Sequence, residues 1–272
     1  MLVLVATPIG NLDDLSARAI RTLAEADLVV CEDTRRTGRL LQAAGVSARK
    51  LLAVHDHNEA AQTGNVLEHL RAGETVAVVS DAGTPGISDP GERLVRAAID
   101  AGIEVQVVPG PSAAVAALVA SGLPTGRFVF EGFLPRSGSG RTERLRALAG
   151  ERRTMVLYEA PHRLVRTLAD LRDALGLDRR VALARELTKL HEETWRGTLA
   201  DAIDRSQEFE PRGEYVLVVE GSAAPEPAAD TELATAVARL MAEGMSTRDA
   251  VAEVATAFAV PKRRVYDLAT KR

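Results

Sequence analysis

The stretch Ser80-Asp81-Ala82-Gly83-Thr84-Pro85-Gly86-Ile87-Ser88-Asp89-Pro90-Gly91 lies between an apolar run, Thr75 to Val79, and an amphipathic one, Pro90 to Ala101. Its glycines let the backbone take conformations closed to other residues and let a ligand approach closely. Its prolines stiffen the chain without demanding a hydrogen-bond partner for an N–H. The stretch therefore reads as a ligand-cradling loop leaving the carboxyl end of a buried strand.

Outward from this loop the same alternation repeats. Strands are expected at Leu2 to Ala6, Leu28 to Cys31, Leu51 to Val54, Thr75 to Val79 and Glu104 to Val108. Helices are expected at Ser16 to Ala26, Arg36 to Ala44, Ala60 to Arg71 and Pro90 to Ala101, three of them closed by Gly45, Gly73 and Gly102. Short apolar strands alternating with glycine-capped helices predict a parallel sheet covered on both faces. A second set of strands follows at Phe128 to Gly132, Thr154 to Tyr158, Val181 to Arg185, Thr194 to Gly197 and Tyr215 to Glu220, with helices at Thr142 to Ala149 and His162 to Leu175. A small-residue helix, Pro111 to Ser121, bridges the two sets. An Ala/Pro stretch without periodicity, residues 223–230, reads as a linker. Beyond it the chain is helical. The expected organisation is α/β: an N-terminal domain over 1–114, a second domain over 115–222, the linker, and a helical tail over 231–272.

The chain has 272 residues, 46% hydrophobic and 26% charged, as a soluble globular protein does. Aromatics make up 3%, so the core must come from Val, Leu, Ile and Ala. A net charge of -4 gives no whole-surface signal for nucleic acid, and leaves local basic patches open. The lone Cys31 excludes an internal disulfide and fits a reducing, cytoplasmic compartment. The apolar start, Met1 to Ala6, lacks a basic leader and is cut short by Thr7-Pro8-Ile9-Gly10-Asn11, so it reads as a first strand and not as a signal peptide. No apolar run reaches membrane-spanning length.

Two further loops join the first at strand ends: Thr7-Pro8-Ile9-Gly10-Asn11 and Pro109-Gly110-Pro111-Ser112-Ala113. Ligands of parallel sheets bind at the carboxyl ends of strands. The common nucleotide fingerprints are missing. No Gly-x-Gly-x-x-Gly follows the first strand. In Pro135-Arg136-Ser137-Gly138-Ser139-Gly140-Arg141-Thr142, Pro135 stands in place of the first glycine of a phosphate loop and Arg141 in place of its lysine, so a mobile basic substrate loop is expected there.

Together these segments resemble the tetrapyrrole-methylase superfamily of S-adenosylmethionine-dependent enzymes, and within it the branch that methylates small-subunit ribosomal RNA. The resemblance runs through Thr7 to Leu12, Glu32-Asp33-Thr34-Arg35, His55 to Glu59, Ser80 to Gly91 and Pro109 to Ala113. It continues through Gly132 to Arg136, Tyr158-Glu159-Ala160-Pro161-His162-Arg163, Arg185 to Lys189 and Pro211-Arg212-Gly213-Glu214. Ala160 stands where serine is expected. The resemblance implies a two-domain tetrapyrrole-methylase-like fold with a parallel-sheet N-terminal domain, a mixed-sheet second domain and the methyl donor in the cleft between them. It implies a homodimer that transfers methyl to the ribose 2′-hydroxyl of a cytidine in the decoding region of 16S ribosomal RNA. The donor-binding residues it implies are Pro8, Asp81, Gly83, Thr84, Ser112, Ala113, Glu159, Ala184 and Gly213.

A ribose hydroxyl is a poor nucleophile, so a base or a charge for the alkoxide is needed. Three polar groups follow strands: Glu32, Asp33 and Arg35; His55, His57, Asn58 and Glu59; Lys189, Glu192 and Glu193. For the acidic pairs, helix capping stands equally open. Lys189 and Glu193 are the catalytic candidates, Lys189 either as a phosphate holder or as a base with its pKa depressed by burial. No histidine spacing specifies a metal. Arg35-Arg36, Arg136, Arg141 to Arg146 and Arg152-Arg153 are either RNA contacts or solvated faces. The tail carries a capping pair, Ser246 and Asp249, and a basic helix start at Val260 to Tyr266, and resembles a helix-turn-helix. It either contacts RNA or packs. A corrin-type small-molecule methyltransferase and a non-catalytic RNA-binding factor are the competing functions. The basic tail and Glu32 to Arg35 argue against the first; three donor loops argue against the second.

Overall fold

The computed structural model describes residues 1–55, 57–208, 210–223 and 228–270. The middle of the expected linker, 224–227, and the basic end Lys271-Arg272 lie outside the described residues. Residues Met1–Ser222 form one compact unit and Ala223–Arg272 another.

The first sheet is built from β1 (Leu2–Val5), β2 (Leu28–Cys31), β3 (Leu51–Ala53), β4 (Val76–Val78) and β5 (Val105–Val108). They alternate with α1 (Ala17–Glu25), α2 (Thr34–Ala43), α3 (Glu59–Arg71) and α4 (Glu92–Asp100). All pairings are parallel, in the order β3-β2-β4-β1-β5. Alternate residues bury on opposite faces. Val3, Val5, Val29 and Cys31 pack with Leu23 and Leu41 of α1 and α2. Leu2, Leu28, Val30 and Val78 pack with Val66, Leu70 and Leu94 of α3 and α4. Burial on both faces is why β1, β2 and β4 read as unbroken apolar runs, whereas the edge strand β5 exposes Gln106 and Val107.

The second sheet contains β6 (Phe128–Phe133), β7 (Thr154–Glu159), β8 (Arg180–Arg185), β9 (Glu193–Thr198) and β10 (Tyr215–Val219), ordered β6-β7-β10-β8-β9. Only β6 and β7 are parallel, so the sheet is mixed, as expected. One face carries α6 (Gly138–Ala149), α7 (Pro161–Leu175) and α8 (Leu199–Glu208), over a core that includes Met155, Leu157, Leu164, Leu168, Leu217 and Val219. The other face takes α5 (Ala113–Ser121), whose Ala114, Ala117 and Leu118 pack on Val156, Ala182, Val216 and Val218.

Helix α8 is not among the sequence expectations. Thr198 and Asp201 form a reciprocal cap at its start: Asp201 N–H donates to Thr198 Oγ1 (3.2 Å) while Asp201 Oδ2 accepts from Thr198 N–H (2.9 Å).

The C-terminal unit contains α9 (Asp230–Ala242), α10 (Thr247–Ala257) and α11 (Lys262–Thr270) around Leu233, Val237, Leu240, Val251, Val254 and Val265. Ser246 caps α10 by accepting from Asp249 N–H at 3.2 Å. Arg264 is tied to Asp230 Oδ1 (2.7 Å) and Ala228 O (2.8 Å), so this member of the basic helix start holds the unit together. Among the described residues no helix is long and apolar enough to cross a membrane.

Candidate functional site

Strand order brings the three glycine-rich loops together. β4, β1 and β5 are neighbours, so the loops leaving their carboxyl ends lie side by side. Thr7 and Gly83 exchange backbone hydrogen bonds at 2.8 and 3.1 Å, and the Thr7 hydroxyl donates to Ser80 O at 3.2 Å. Gly83 needs its left-handed φ of +83°, and Ile9 Cγ2 lies 3.4 Å from where a Cβ would stand. The far end of the Ser80–Gly91 loop is fastened by buried Glu59, whose Oε1 accepts from Gly91 N–H (3.0 Å) and Leu94 N–H (3.3 Å). Glu59 thus caps α4 from another helix. Asp33 likewise caps its own helix, accepting from Arg35 N–H at 2.7 Å; that backbone bond holds its carboxyl below the ordinary range.

A cavity of 490 Å³ opens between these loops and the second sheet. Gly83, Thr84, Ser112 and Ala113 line it from one side, and Glu159 and Ala184 from the other. These are six of the nine donor-site residues expected from sequence. Ser112 occupies the N-cap position of α5 without using its side chain as a cap, leaving its hydroxyl for another partner, while Ala114 N–H in the first turn meets the Tyr158 phenol. Tyr215 adjoins the cavity by its backbone position, but its ring packs in the core with Leu183 and Leu217 and its phenol lies near Arg185 and Glu193. Tyr158 lines the same cavity and meets Phe130 and Phe133 edge-on at 5.0 and 5.6 Å. Burial pushes the Tyr158 phenol up. Sequence reasoning named neither tyrosine as a site residue, although each adjoins a quoted motif residue, Glu159 or Glu214.

Pro8 and Asp81 line a second cavity, of 480 Å³, and not the first. Gly213 lines neither. It stands at φ +79° against Glu186, whose Cγ, Cδ and Oε1 would lie 2.5–2.7 Å from an added Cβ. Glu186 Oε1 accepts from Glu214 N–H (3.0 Å) and from Lys189 Nζ (2.9 Å), and Lys189 Nζ also donates to Glu214 Oε2 (2.7 Å). The turn carrying this cluster is strained: Glu186 has φ +49° and Thr188 φ +65°, uncommon for a residue with a Cβ and an outlier for β-branched threonine. It is clamped by Glu192, which accepts from Thr188 N–H (2.8 Å), and by Asn11 N–H, which donates to Thr188 Oγ1 (3.1 Å). Gly10 lacks the Cβ that would collide with Lys189 Cγ.

Lys189 lines both cavities. Burial draws its pKa down, but the bonds to Glu214 and Glu186 outweigh burial and leave it above the ordinary lysine value. This corrects the expectation of a depressed, basic lysine: the group stays an ammonium. Glu193 is not brought to it. It begins β9, is held by Arg205 and lies 4.0 Å from Arg185, and lines neither cavity.

Glu159 is almost wholly buried. Its carboxylate accepts from Ala160 N–H (2.9 Å) and Thr167 Oγ1 (2.5 Å) and forms an ion pair with Arg163 Nε (3.1 Å). Behind it Arg141, itself 4% exposed, donates to Thr167 Oγ1 (2.9 Å), Asp170 Oδ2 (2.7 Å) and Pro135 O (2.9 Å). The basic substrate loop expected at Pro135 to Thr142 is therefore corrected: its central arginine is a buried strut of α6 and α7. Arg144, in the same run, pairs with Glu131. Among the described residues no cluster of three or more His, Cys, Asp or Glu could hold a metal.

The fold and site thus define an α/β protein that binds a small ligand at strand ends, between a parallel and a mixed sheet. The family described as Tetrapyrrole (Corrin/Porphyrin) Methylases matches residues 1–203, and the RsmI C-terminal HTH domain matches 227–272. A ribosomal RNA small subunit methyltransferase I of Synechocystis sp. is 49% identical over 98% of this chain and 96% of that protein. Its namesake in Pseudomonas aeruginosa is 48% identical over 100% and 97%. The solved uroporphyrin-III C-methyltransferase of Thermus thermophilus superposes with a TM-score of 0.57 at 25% identity, covering 80% of this chain and 93% of that one. The chain belongs to the tetrapyrrole methylases, in their ribosomal RNA small subunit methyltransferase I family.

Proposed function

We propose that this chain is an S-adenosylmethionine-dependent methyltransferase of the small ribosomal subunit, acting on the ribose 2′-hydroxyl of a cytidine in the decoding region of 16S ribosomal RNA, as a cytoplasmic homodimer. The observation that carries the reading is the first cavity, where six residues expected to hold the donor converge. Its furniture suits such a donor. The free Ser112 hydroxyl, at the start of α5, receives a carboxylate. The edge-packed Tyr158 and Phe133 receive an aromatic end. When bound, the donor supplies a methyl group on a positively charged sulfur, and that charge is lost on transfer.

The chain's own contribution is chiefly positioning of the hydroxyl against that methyl group. Glu159 is turned toward its own network: its contacts to Ala160, Thr167 and Arg163 fix the β7–α7 turn, so it shapes the cavity wall. Lys189 Nζ sits where the two cavities share a wall. Being protonated, it donates toward the 2′-oxygen as that atom gains charge, or toward a phosphate, while the hydroxyl proton leaves to water. The helical tail, 231–272, adds RNA contact.

Tritiated methyl transfer from S-adenosylmethionine to purified small subunits, to naked ribosomal RNA and to a porphyrinoid tests the reading. Label in RNA alone supports it; label in the porphyrinoid alone selects the small-molecule alternative. Loss of donor binding, and not of turnover alone, in a Lys189→Ala protein removes Lys189 from the catalytic role.

A further inference from the structure

The second cavity holds two of the nine residues expected for the donor, Pro8 and Asp81, and its walls are chemically specific. Arg36, Thr37, Arg39, Leu40 and Ala43 of α2 line it, while Leu41 is buried in the core. Most of these lining positions are three or four residues apart and so share a helix face. Ile9, Ala82, Lys189 and Glu214 line both cavities, so this space abuts the donor's across a common wall. At 480 Å³ it falls within the range of about 300–1,000 Å³ that small-ligand pockets span, room for one nucleotide and not for a duplex.

Two polar features point to the ligand. Arg39 is exposed and has no ion-pair or hydrogen-bond partner among the described residues, and Arg36 beside it is 68% exposed. Guanidinium groups so placed fit phosphate oxygens. Asp81 gives one carboxylate oxygen to Arg36 Nη1 at 2.9 Å, while its other oxygen, Oδ1, is buried without any partner. That oxygen can only accept a hydrogen bond, so the ligand must bring an O–H or N–H donor. A nucleotide offers both an anion to the arginines and a donor to the carboxylate.

Building on the proposed function, we infer that the second cavity is the acceptor subsite: it takes a single unstacked nucleotide of the RNA, with Arg39 and Arg36 at its phosphates and Asp81 Oδ1 at a hydroxyl or amino group. RNA read at a single residue is bound with that residue splayed from its stack, which a one-nucleotide cavity demands. Asp81 thereby belongs to the acceptor and not to the donor, and α2 becomes a substrate-contacting element.

The test is steady-state methyl transfer to small subunits by full-length Arg39→Ala and Ala43→Trp proteins, beside calorimetric donor affinity. Ala43 is an exposed helix residue at the cavity wall, so tryptophan there plugs the space without disturbing the core. Arg39→Ala is expected to raise KM about tenfold, with donor affinity unchanged, as loss of a charge-assisted phosphate contact does. It should also flatten the salt dependence of log kcat/KM by about 0.7, the value of one phosphate contact on single-stranded nucleic acid. Ala43→Trp should lower kcat/KM at least as much. Wild-type kcat/KM and salt slope in Arg39→Ala, or full activity in Ala43→Trp, overturn the acceptor assignment while leaving the donor reading intact. A wild-type protein that methylates no RNA removes both.

Discussion

Gly213→Ala separates backbone strain from damage to the Glu186 cluster. Gly213 stands at φ +79°, and an added Cβ would lie 2.5 Å from Glu186 Cγ and 2.7 Å from its Oε1. Gly102 offers a matched control, at φ +70° with nothing within 4 Å. Alanine in the left-handed region costs about 1–2 kcal/mol at either site. At Gly213 the clash is relieved only by moving the Glu186 carboxylate, which breaks its bonds to Lys189 Nζ and Glu214 N–H. Charge-assisted bonds contribute about 1.5–3 kcal/mol each when buried, and partial exposure of this cluster reduces that to about 1 kcal/mol each. The expected cost is therefore about 3–4 kcal/mol for Gly213→Ala and about 1–2 kcal/mol for Gly102→Ala. At roughly 2–4 °C per kcal/mol for a unit of this size, Tm should fall by about 6–16 °C and 2–8 °C respectively. Thermal unfolding reads the stability, and calorimetry with S-adenosylmethionine reads the affinity, which should drop for Gly213→Ala alone. Equal Tm shifts with unchanged donor affinity in both proteins would refute the argument that Gly213 is needed to seat Glu186.

Glu59→Ala strips the shared cap from Gly91 and Leu94, and should lower stability by about 1–3 kcal/mol and weaken donor binding, as seen by denaturant unfolding and calorimetry. Glu159→Gln leaves the half-buried Arg163 beside a neutral partner and disturbs the Thr167 bond; urea unfolding should show a loss of about 1–3 kcal/mol, and a null effect contradicts the network. Lys189 is held above its ordinary pKa, so its contribution to stability is complete below about pH 10.5 and fades as pH rises through the raised value. Glu186 is held below the ordinary carboxylate range, because the bonds from Glu214 N–H and Lys189 outweigh burial; its contribution is complete above about pH 4.5 and fades on acidification. Turnover should accordingly show no Lys189 deprotonation limb between about pH 6 and 9, and Lys189→Arg should keep more activity than Lys189→Ala. Removal of 231–272 should weaken small-subunit binding in filter assays and spare donor affinity.

The strands and loops were legible because their causes are local. Residues buried on both sides of a parallel sheet must all be apolar, and glycine-proline loops cannot be anything else. The convergence of Thr7, Ser80 and Pro109 loops depends only on β4, β1 and β5 being neighbours. Helix α8 escaped because its buried stripe is thin: Leu199, Ala202, Ile203 and Ser206, of which one is small and one polar. Its cap, Thr198 with Asp201, was the available signal. Arg141 was misread for a different reason. An arginine among glycines and serines looks solvated, and nothing near it in sequence announces Asp170 and Thr167, which bury it. The same holds for Lys189, whose charge state is set by Glu214, 25 residues away. Asp81, which the resemblance implies as a donor contact, lines the adjoining second cavity, a position that its loop alone does not announce.

The central claim is that the donor cavity serves methylation of a ribose hydroxyl in small-subunit RNA. Nucleoside digestion and mass spectrometry of 16S ribosomal RNA, after incubating small subunits lacking the modification with the protein and isotopically labelled S-adenosylmethionine, tests it most directly. The account predicts labelled 2′-O-methylcytidine from one decoding-region position. Label only on a base, or none in RNA, would contradict it.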